Sequence, residues 1–429
     1  MRQRLRENAL CASLGGAGCA TMAWLGLYGF GWNDYSNEVR PAYEALVRGH
    51  LLSFLRLAPA YGGSLIERAP FALAPGLWGG GTLAVYRMVA LPCLLATAAL
   101  GVWLVARMRA QGRSQLARAV ALVVCVANPI TLLALEVGHP EELLGACLCV
   151  AALLVAGRSS LARDHSLLAG ALLGLAIANK EWALLAAGPV LLALPPARRI
   201  RCLASAALVA GAILAPLALA TSGSFAADTR AVAAPAGSAI FQPWQVWWFL
   251  GYHGALVHGS FGAPKPGYRI GPAWTSTVTH PLILLAGLAI AATLWLRGGR
   301  KAALSEHDAL LALALALLLR CLLDTWDTAY YTLPFIFALL AWEVARPTRN
   351  PPLLAFAASA LVWLCCSWLA LHVSADVQAA SFLAWSVPLA AWLGVRLFRP
   401  TLAQRATPAG AARAQETTVS ALGRRVKTS

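Results

Sequence analysis

Apolar runs recur along the whole of this 429-residue chain, and that recurrence limits what it can fold into. A window of ~19 residues finds about twelve of them. Their approximate limits are 9–30, 83–106, 118–135, 143–157, 166–179, 182–196, 202–220, 278–296, 307–323, 329–345, 353–373 and 379–398. Some are long enough to cross a hydrocarbon core of ~30 Å and several are short for it. Short spans fit a bundle where the bilayer thins or a helix is broken. The expectation is an all-α, polytopic integral membrane protein with about 12 transmembrane helices.

Composition agrees. The chain is 59% hydrophobic and 12% charged, too little charge to wet the surface of a soluble domain of this length. The net charge of +16 sits in short basic clusters between apolar runs. That is a topology signal, and no nucleic-acid partner is expected. The ten Cys lie in or at the edges of apolar runs and form no CxxC pair. They read as small buried hydrophobes, with no zinc site or disulfide framework indicated. The opening "MRQRLRENAL" resembles a signal peptide, but no A-x-A-like cleavage site precedes Trp32, so it reads as the start of a retained first span.

With the N-terminus inside and the spans alternating, the inner segments hold 24 of the 34 Lys and Arg, and the outer loops hold 8. Twelve of the 18 Asp and Glu fall outside. The positive-inside rule then puts both termini in the cytoplasm of a cell whose plasma membrane the chain crosses. Residues 1–220 read as an N-terminal membrane module, 278–398 as a C-terminal one, and 399–429 as a disordered cytoplasmic tail. Two outer loops are long, 31–82 and 221–277. In the first, Tyr43, Leu46, Val47, Leu51 and Phe54 share one helical face, which predicts an amphipathic helix in the outer interface. In the second, Trp244, Trp247 and Trp248 fit either an interfacial aromatic belt or a sugar-stacking surface.

This topology gathers unusual charges at one face. The stretch "GFGWNDYSNEVRPAYEALVRGH" puts Asp34 at the outer mouth, with Glu38 four residues on. "LEVGHPEELLG" brings Glu136, His139, Glu141 and Glu142; "LAIANKEWALL" brings Lys180, Glu181 and Trp182; "LLLRCLLDTWDTAYYTLPF" brings Arg320, Asp324, Asp327, Tyr330 and Tyr331. Charges near a membrane core are costly and usually mark a site. Asp376, Asp228 and Glu67 read as ordinary loop caps. Lys180 and Arg320 do not, because apolar sequence hems them in. A buried Arg320 needs an anion, either a carboxylate such as Asp324 or an anionic ligand.

One free carboxylate, cations from other helices and an interfacial helix suit a reaction on a lipid-linked phosphosugar. The carboxylate takes a proton from an acceptor hydroxyl, and the cations stabilise charge growing on the leaving phosphate. No cofactor is required. A divalent metal is possible but not indicated, since His139 with Glu141 and Glu142 lacks a set ligand spacing.

The chain resembles a GT-C superfamily membrane glycosyltransferase, closest to glycosyltransferase family 87, the polyprenyl-phosphate-mannose-dependent mannosyltransferases. The resemblance covers roughly residues 9–398. It rests on "WNDYSNE", "AYGGSLIERAPF", "GHPEELLGA", "ANKEWALLAAGPVLLAL" and "LRCLLDTWDTAYYTLPF". It implies a catalytic base in the first outer loop, a position that Asp34 matches. It also implies a polyprenyl-phosphate sugar donor, a glycolipid or glycan acceptor, and inversion at the anomeric carbon. Many superfamily members carry Asp-x-Asp; here Asn33 precedes Asp34 and Ser36 lies two residues on. The competing readings are a transporter or flippase of a lipid-linked sugar, which would hold its charges near the midplane of two related halves, and a non-catalytic scaffold for envelope synthesis.

Overall fold

A computed structural model describes residues 13, 15–18, 20, 34–159, 163–220, 240–252, 257–258, 264–265, 269–325, 327–346, 348 and 350–399. Most of the expected first span, most of the second long loop (with Asp228), and the tail lie outside the described residues. Residues Met1–Ala390 form one compact unit. Of the second unit, Ala391–Ser429, the described part is the last turns of a helix.

The described chain is helical. Its β-structure is two antiparallel pairs of two-residue strands, Ile240–Phe241 with Arg269–Ile270 and Val257–His258 with Pro264–Lys265. Three short helices make up the first loop: α1 (Arg40–Val47), α2 (Leu51–Leu57) and α3 (Gly62–Leu73). Helices α4 (Thr82–Ala110), α5 (Gln115–Val126), α6 (Pro129–Val137), α7 (Glu141–Ala156), α8 (Ser166–Asn179), α9 (Ala187–Ala193) and α10 (Pro196–Ala220) follow. After the second loop come α11 (Ala273–Leu294), α12 (Glu306–Leu323), α13 (Thr332–Ala345), α14 (Leu353–Trp363), α15 (Leu369–His372) and α16 (Ala375–Phe398).

Six helical stretches among the described residues are long and apolar enough to cross a membrane: Thr82–Ala110, Gln115–Val137, Pro196–Ala220, Ala273–Gly299, Leu353–His372 and Ala375–Phe398. Shorter apolar helices cover Ser166–Asn179, Glu181–Ala193 and Ala329–Ala345. The stretch Gln115–Val137 is α5 and α6 end to end. The break has a local cause, since Asn128 accepts the Ile130 N–H at 3.0 Å and Pro129 begins the next helix.

Helices that are apolar all round belong in an interior. In α12 every residue from Ala309 to Leu318 is buried, and in α13 every residue from Thr332 to Val344. On α10 and α11, by contrast, Leu208, Leu219, Leu284, Leu285 and Leu288 are exposed, as lipid-facing side chains are. Small residues close the joints. A Cβ at Gly174 would meet the Ala206 carbonyl of α10 at 2.6 Å, and one at Gly170 would collide with the Cys202 carbonyl, so α8 and α10 pack backbone to backbone. Gly63 of α3 is likewise pressed on the Ala178 carbonyl, which seats the first loop against the end of α8.

The first loop departs from the single amphipathic helix expected. Gly49, at φ +80°, ends α1 and splits the segment in two. The buried face carries Ala42, Tyr43, Ala45 and then Phe54, while Val47 and Leu51 are exposed. The eight described cysteines form no disulfide, and all but the half-buried Cys366 are buried.

Candidate functional site

The four charged stretches meet where α7 begins and α8 and α12 end. Gly138 closes α6 in the left-handed region (φ +108°), turning the chain so that His139 and Pro140 precede α7. A side chain at Gly138 would also strike the backbone of Tyr35, so the start of the first loop rests directly on this turn. Asp34 is thereby brought to His139, whose Nε2 lies 3.2 Å from Asp34 Oδ2 and whose Nδ1 lies 2.6 Å from Glu141 Oε1.

Glu141 and Glu142, at the start of α7, are both fully buried. Lys180 follows the last residue of α8 and reaches both carboxylates, with Nζ 3.3 Å from Glu141 Oε1 and 3.2 Å from Glu142 Oε1. Asn179 fixes the join by donating to the Glu141 carbonyl at 2.9 Å. From α3, Arg68 Nη2 lies 3.2 Å from Glu141 Oε2. From the last turn of α12, Arg320 Nη2 lies 3.7 Å from Glu142 Oε1. These are charge contacts more than aligned hydrogen bonds: neither Glu142 oxygen has a hydrogen-bond partner, and Arg320 Nη1 has none either. Among these five groups, three buried cations (Arg68, Lys180, Arg320) against two buried carboxylates (Glu141, Glu142) leave one net positive charge, and the pair of His139 with Asp34 does not change it when both are ionised. Asp34 stands at the rim, its side chain 44% exposed.

Aromatic rings cover two of the cations, Lys180 and Arg320. Lys180 Nζ lies 4.7 Å from the Tyr61 ring centroid and 5.9 Å from that of Tyr331. The Arg320 guanidinium lies 4.1 Å from Tyr331 and 5.0 Å from Trp182. Tyr61 in turn hydrogen-bonds Glu38 through a short contact. Tyr330 stacks on His139 at 5.2 Å, with Tyr61 edge-on at 5.6 Å. Burial and the Lys180 ammonium depress the imidazole pKa, but Glu141 and Asp34 outweigh them and hold His139 above its usual range.

Asp324 and Asp327 serve a neighbouring structure. Asp324 Oδ1 lies 3.2 Å from His280 Nε2, so the anion nearest Arg320 is Glu142 and not Asp324. Asp327 is fully buried and neither of its carboxyl oxygens has a hydrogen-bond partner. Burial first, and then Asp324, push its carboxyl well above the usual range. The three tryptophans expected to form a belt or stacking surface dock the second loop here instead. Trp244 donates to the Asp327 carbonyl at 3.1 Å, Trp247 to the Leu323 carbonyl at 2.6 Å, and the buried Trp248 to Asp376 at 2.8 Å. Asp376 is no loose cap, for it also pairs with Arg269 at 2.6 Å. Glu181 is exposed.

Sequence reasoning passed over Tyr61, Arg68 and His280. Arg68 carried the signal that exposed Arg320, a lone cation between apolar neighbours in "GGSLIERAPF". Glu67, read as a cap, has both carboxyl oxygens buried without hydrogen-bond partners, and burial pushes its pKa up to about 8. A cavity of about 220 Å³ is lined by Tyr35, Arg40, Tyr43, Glu44, Arg48 and Thr82 among others, and shares none of the five buried charges. Among the described residues no three His, Cys, Asp or Glu side chains converge as a metal site.

No family model matches this sequence, and no curated protein is significantly similar to it. Fold and site together define a helical protein with, among the described residues, six helices able by length and composition to cross a membrane. At one end of its inner helices lies a buried ionic cluster with the half-exposed carboxylate of Asp34 at its rim.

Proposed function

We propose that this protein is a GT-C-type membrane glycosyltransferase of about twelve spans. It moves a sugar, mannose by resemblance to glycosyltransferase family 87, from a polyprenyl-phosphate donor to a hydroxyl of an envelope glycolipid or polysaccharide. The reaction takes place on the outer face of the plasma membrane, with both termini in the cytoplasm. The observation that carries the reading is the pairing of Asp34, half-exposed, with a buried cluster of one net positive charge.

A polyprenyl-phosphate sugar is a phosphodiester with one negative charge, which one surplus positive charge complements. Asp34 takes the proton of the acceptor hydroxyl as its oxygen bonds the anomeric carbon. The bond from that carbon to the phosphate oxygen breaks with inversion. Its electron pair goes to the polyprenyl phosphate, which leaves as the monoester with one more negative charge. Lys180 and Arg320 stabilise that added charge. Arg320 Nη1, buried without an acceptor, supplies an open donor. In the present state Tyr61 and Tyr331 cover Lys180, so the phosphate reaches it only when these rings move aside. The charges lie at helix ends, Glu141 opening α7 and Asp324 following α12, whereas a transporter of lipid-linked sugars would hold them near mid-span.

The test is transfer of radiolabel from polyprenyl-phosphate mannose in membranes containing the protein, with the product identified. Label should pass to an envelope glycolipid or glycan with the wild type and not with Asp34→Asn. Equal transfer by both would end the reading, as would none by either.

A further inference from the structure

We infer that His139 positions Asp34 as a doubly donating imidazolium clamped between Asp34 and Glu141. The inference deepens the proposed function and rests on Asp34 being its base. Both ring nitrogens face carboxylates, Nε2 at 3.2 Å from Asp34 and Nδ1 at 2.6 Å from Glu141. An ionised carboxylate only accepts hydrogen bonds, so with both acids ionised each nitrogen must carry a proton and the ring is a cation. A neutral ring would point a lone pair at one of the two acids.

The groups around the ring agree with this state. Asp34 faces it from the start of the first loop, and Glu38 acts one step further away through Tyr61. Glu141 faces it from α7 and is itself held by Arg68 and Lys180. Lys180 opposes the cation from the end of α8, and the two acids outweigh it. Tyr330 and Tyr61 fix the plane of the ring. The clamp therefore aims the Asp34 carboxylate through a ring anchored on a fully buried acid. It has no free lone pair, so the proton that Asp34 takes from the acceptor leaves through solvent at its exposed side and not through the ring. His139 is thus a positioning residue, and it works only while charged. Activity is present below its titration and is lost as pH rises through it.

The test uses the full-length protein in nanodiscs, labelled with ¹⁵N-histidine, the His139 signal being the one of eight that His139→Gln removes. At pH 7 both ring nitrogens should be protonated, and Asp34→Asn should move the titration midpoint to lower pH. A neutral His139 ring at pH 7, or a midpoint indifferent to Asp34→Asn, overturns the clamp. In transfer from polyprenyl-phosphate mannose, His139→Gln should lose about 10²-fold in kcat, the cost of a mispositioned group. Donor KM should be nearly kept, and the alkaline fall in rate should disappear. An alkaline limb that survives in His139→Gln also overturns it. If the wild type transfers no sugar, the proposed function fails while the ring spectra still decide the clamp.

Discussion

The two ends of the inner helices handle charge in opposite ways. At the end carrying Gly157 and Glu306, Asp164, Arg113 and Glu343 serve local structural needs. Asp164 accepts the Ser166 N–H at the start of α8 and pairs with Arg198 at 2.6 Å and Arg201 at 3.1 Å. Arg113 grips the carbonyls of Glu343, Val344 and Arg346 where α13 ends, and Glu343 caps the first turn of α14. At the other end, three cations and two carboxylates are fully or almost fully buried, and although Glu141 and Glu142 lie in the first turn of α7 and Arg320 in the last turn of α12, their partners are one another. Removing a partner at the first end loses a cap, one that water can replace at the exposed Asp164 but less readily at the buried Arg113 and Glu343. Removing one at the second leaves an uncompensated charge with no water to take it. The contrast separates charges that serve folding from charges that folding has had to accommodate.

The sharpest way to break that contrast is at Asp34. Asp34→Asn should lower turnover by roughly 10²–10⁴-fold while donor binding is nearly kept. Glu38→Gln, which alters only the group accepting from Tyr61, should be much milder. Steady-state kinetics at equal expression decide this; an active Asp34→Asn beside a dead Glu38→Gln would move the base to Glu38.

Next in size is the buried cluster. Lys180→Ala or Arg320→Ala should each weaken use of the lipid-phosphate donor and destabilise the fold by about 3–5 kcal/mol, the usual cost of orphaning a buried partner. The double change Lys180→Met with Glu142→Gln should recover part of the stability lost in Lys180→Ala. Thermal unfolding in nanodiscs measures both, and a double variant less stable than the single would show that the pair is not the unit at risk.

A pH effect at Glu67 sharpens the comparison further. Its folded pKa of about 8 lies above the ordinary value of 4.5, so the folded state holds its proton longer than the unfolded one does. Its contribution to stability is therefore present below about 4.5 and is lost as pH rises toward 8. Glu67→Gln should gain thermal stability over wild type progressively across that window and match it in acid. A constant offset at all pH values would mean that the carboxyl is not buried in its neutral form.

The smallest effect belongs to the other end. Burdened by neither burial nor crowding, Asp164 is held below the usual range, near 2, by the Ser166 hydrogen bonds and then Arg198. Asp164→Asn should leave the melting temperature almost unchanged, since exposed ion pairs contribute little. A large loss there would erase the distinction between the two ends.

Much of this was legible in one dimension. The apolar runs foretold helices, and the hemmed-in Lys180 and Arg320 foretold that distant charges would be brought together. What stayed hidden depends on packing between segments. Glu142 and not Asp324 lies nearest Arg320 because α7 starts where α12 ends, which no local spacing encodes. The tryptophans of the second loop looked like a surface because their amphipathic rings suit one, yet Trp244 and Trp247 spend their N–H groups on the end of α12 and the turn after it, and Trp248 spends its own on Asp376. Gly49 was visible, but its power to split the first loop into two helices depends on a backbone angle.

Gly138 sets a tolerance on the whole arrangement. The first loop and the α6–α7 turn come from places in the chain about a hundred residues apart, and they meet where that glycine has only a hydrogen to offer. Even a methyl there would be doubly unwelcome, strained at φ +108° and in collision with the Tyr35 backbone. Relief could come only by backing Tyr35, and Asp34 with it, away from His139. The gauge of this joint is therefore finer than one carbon atom, and an alanine at position 138 would detune the site without touching any of its charged groups.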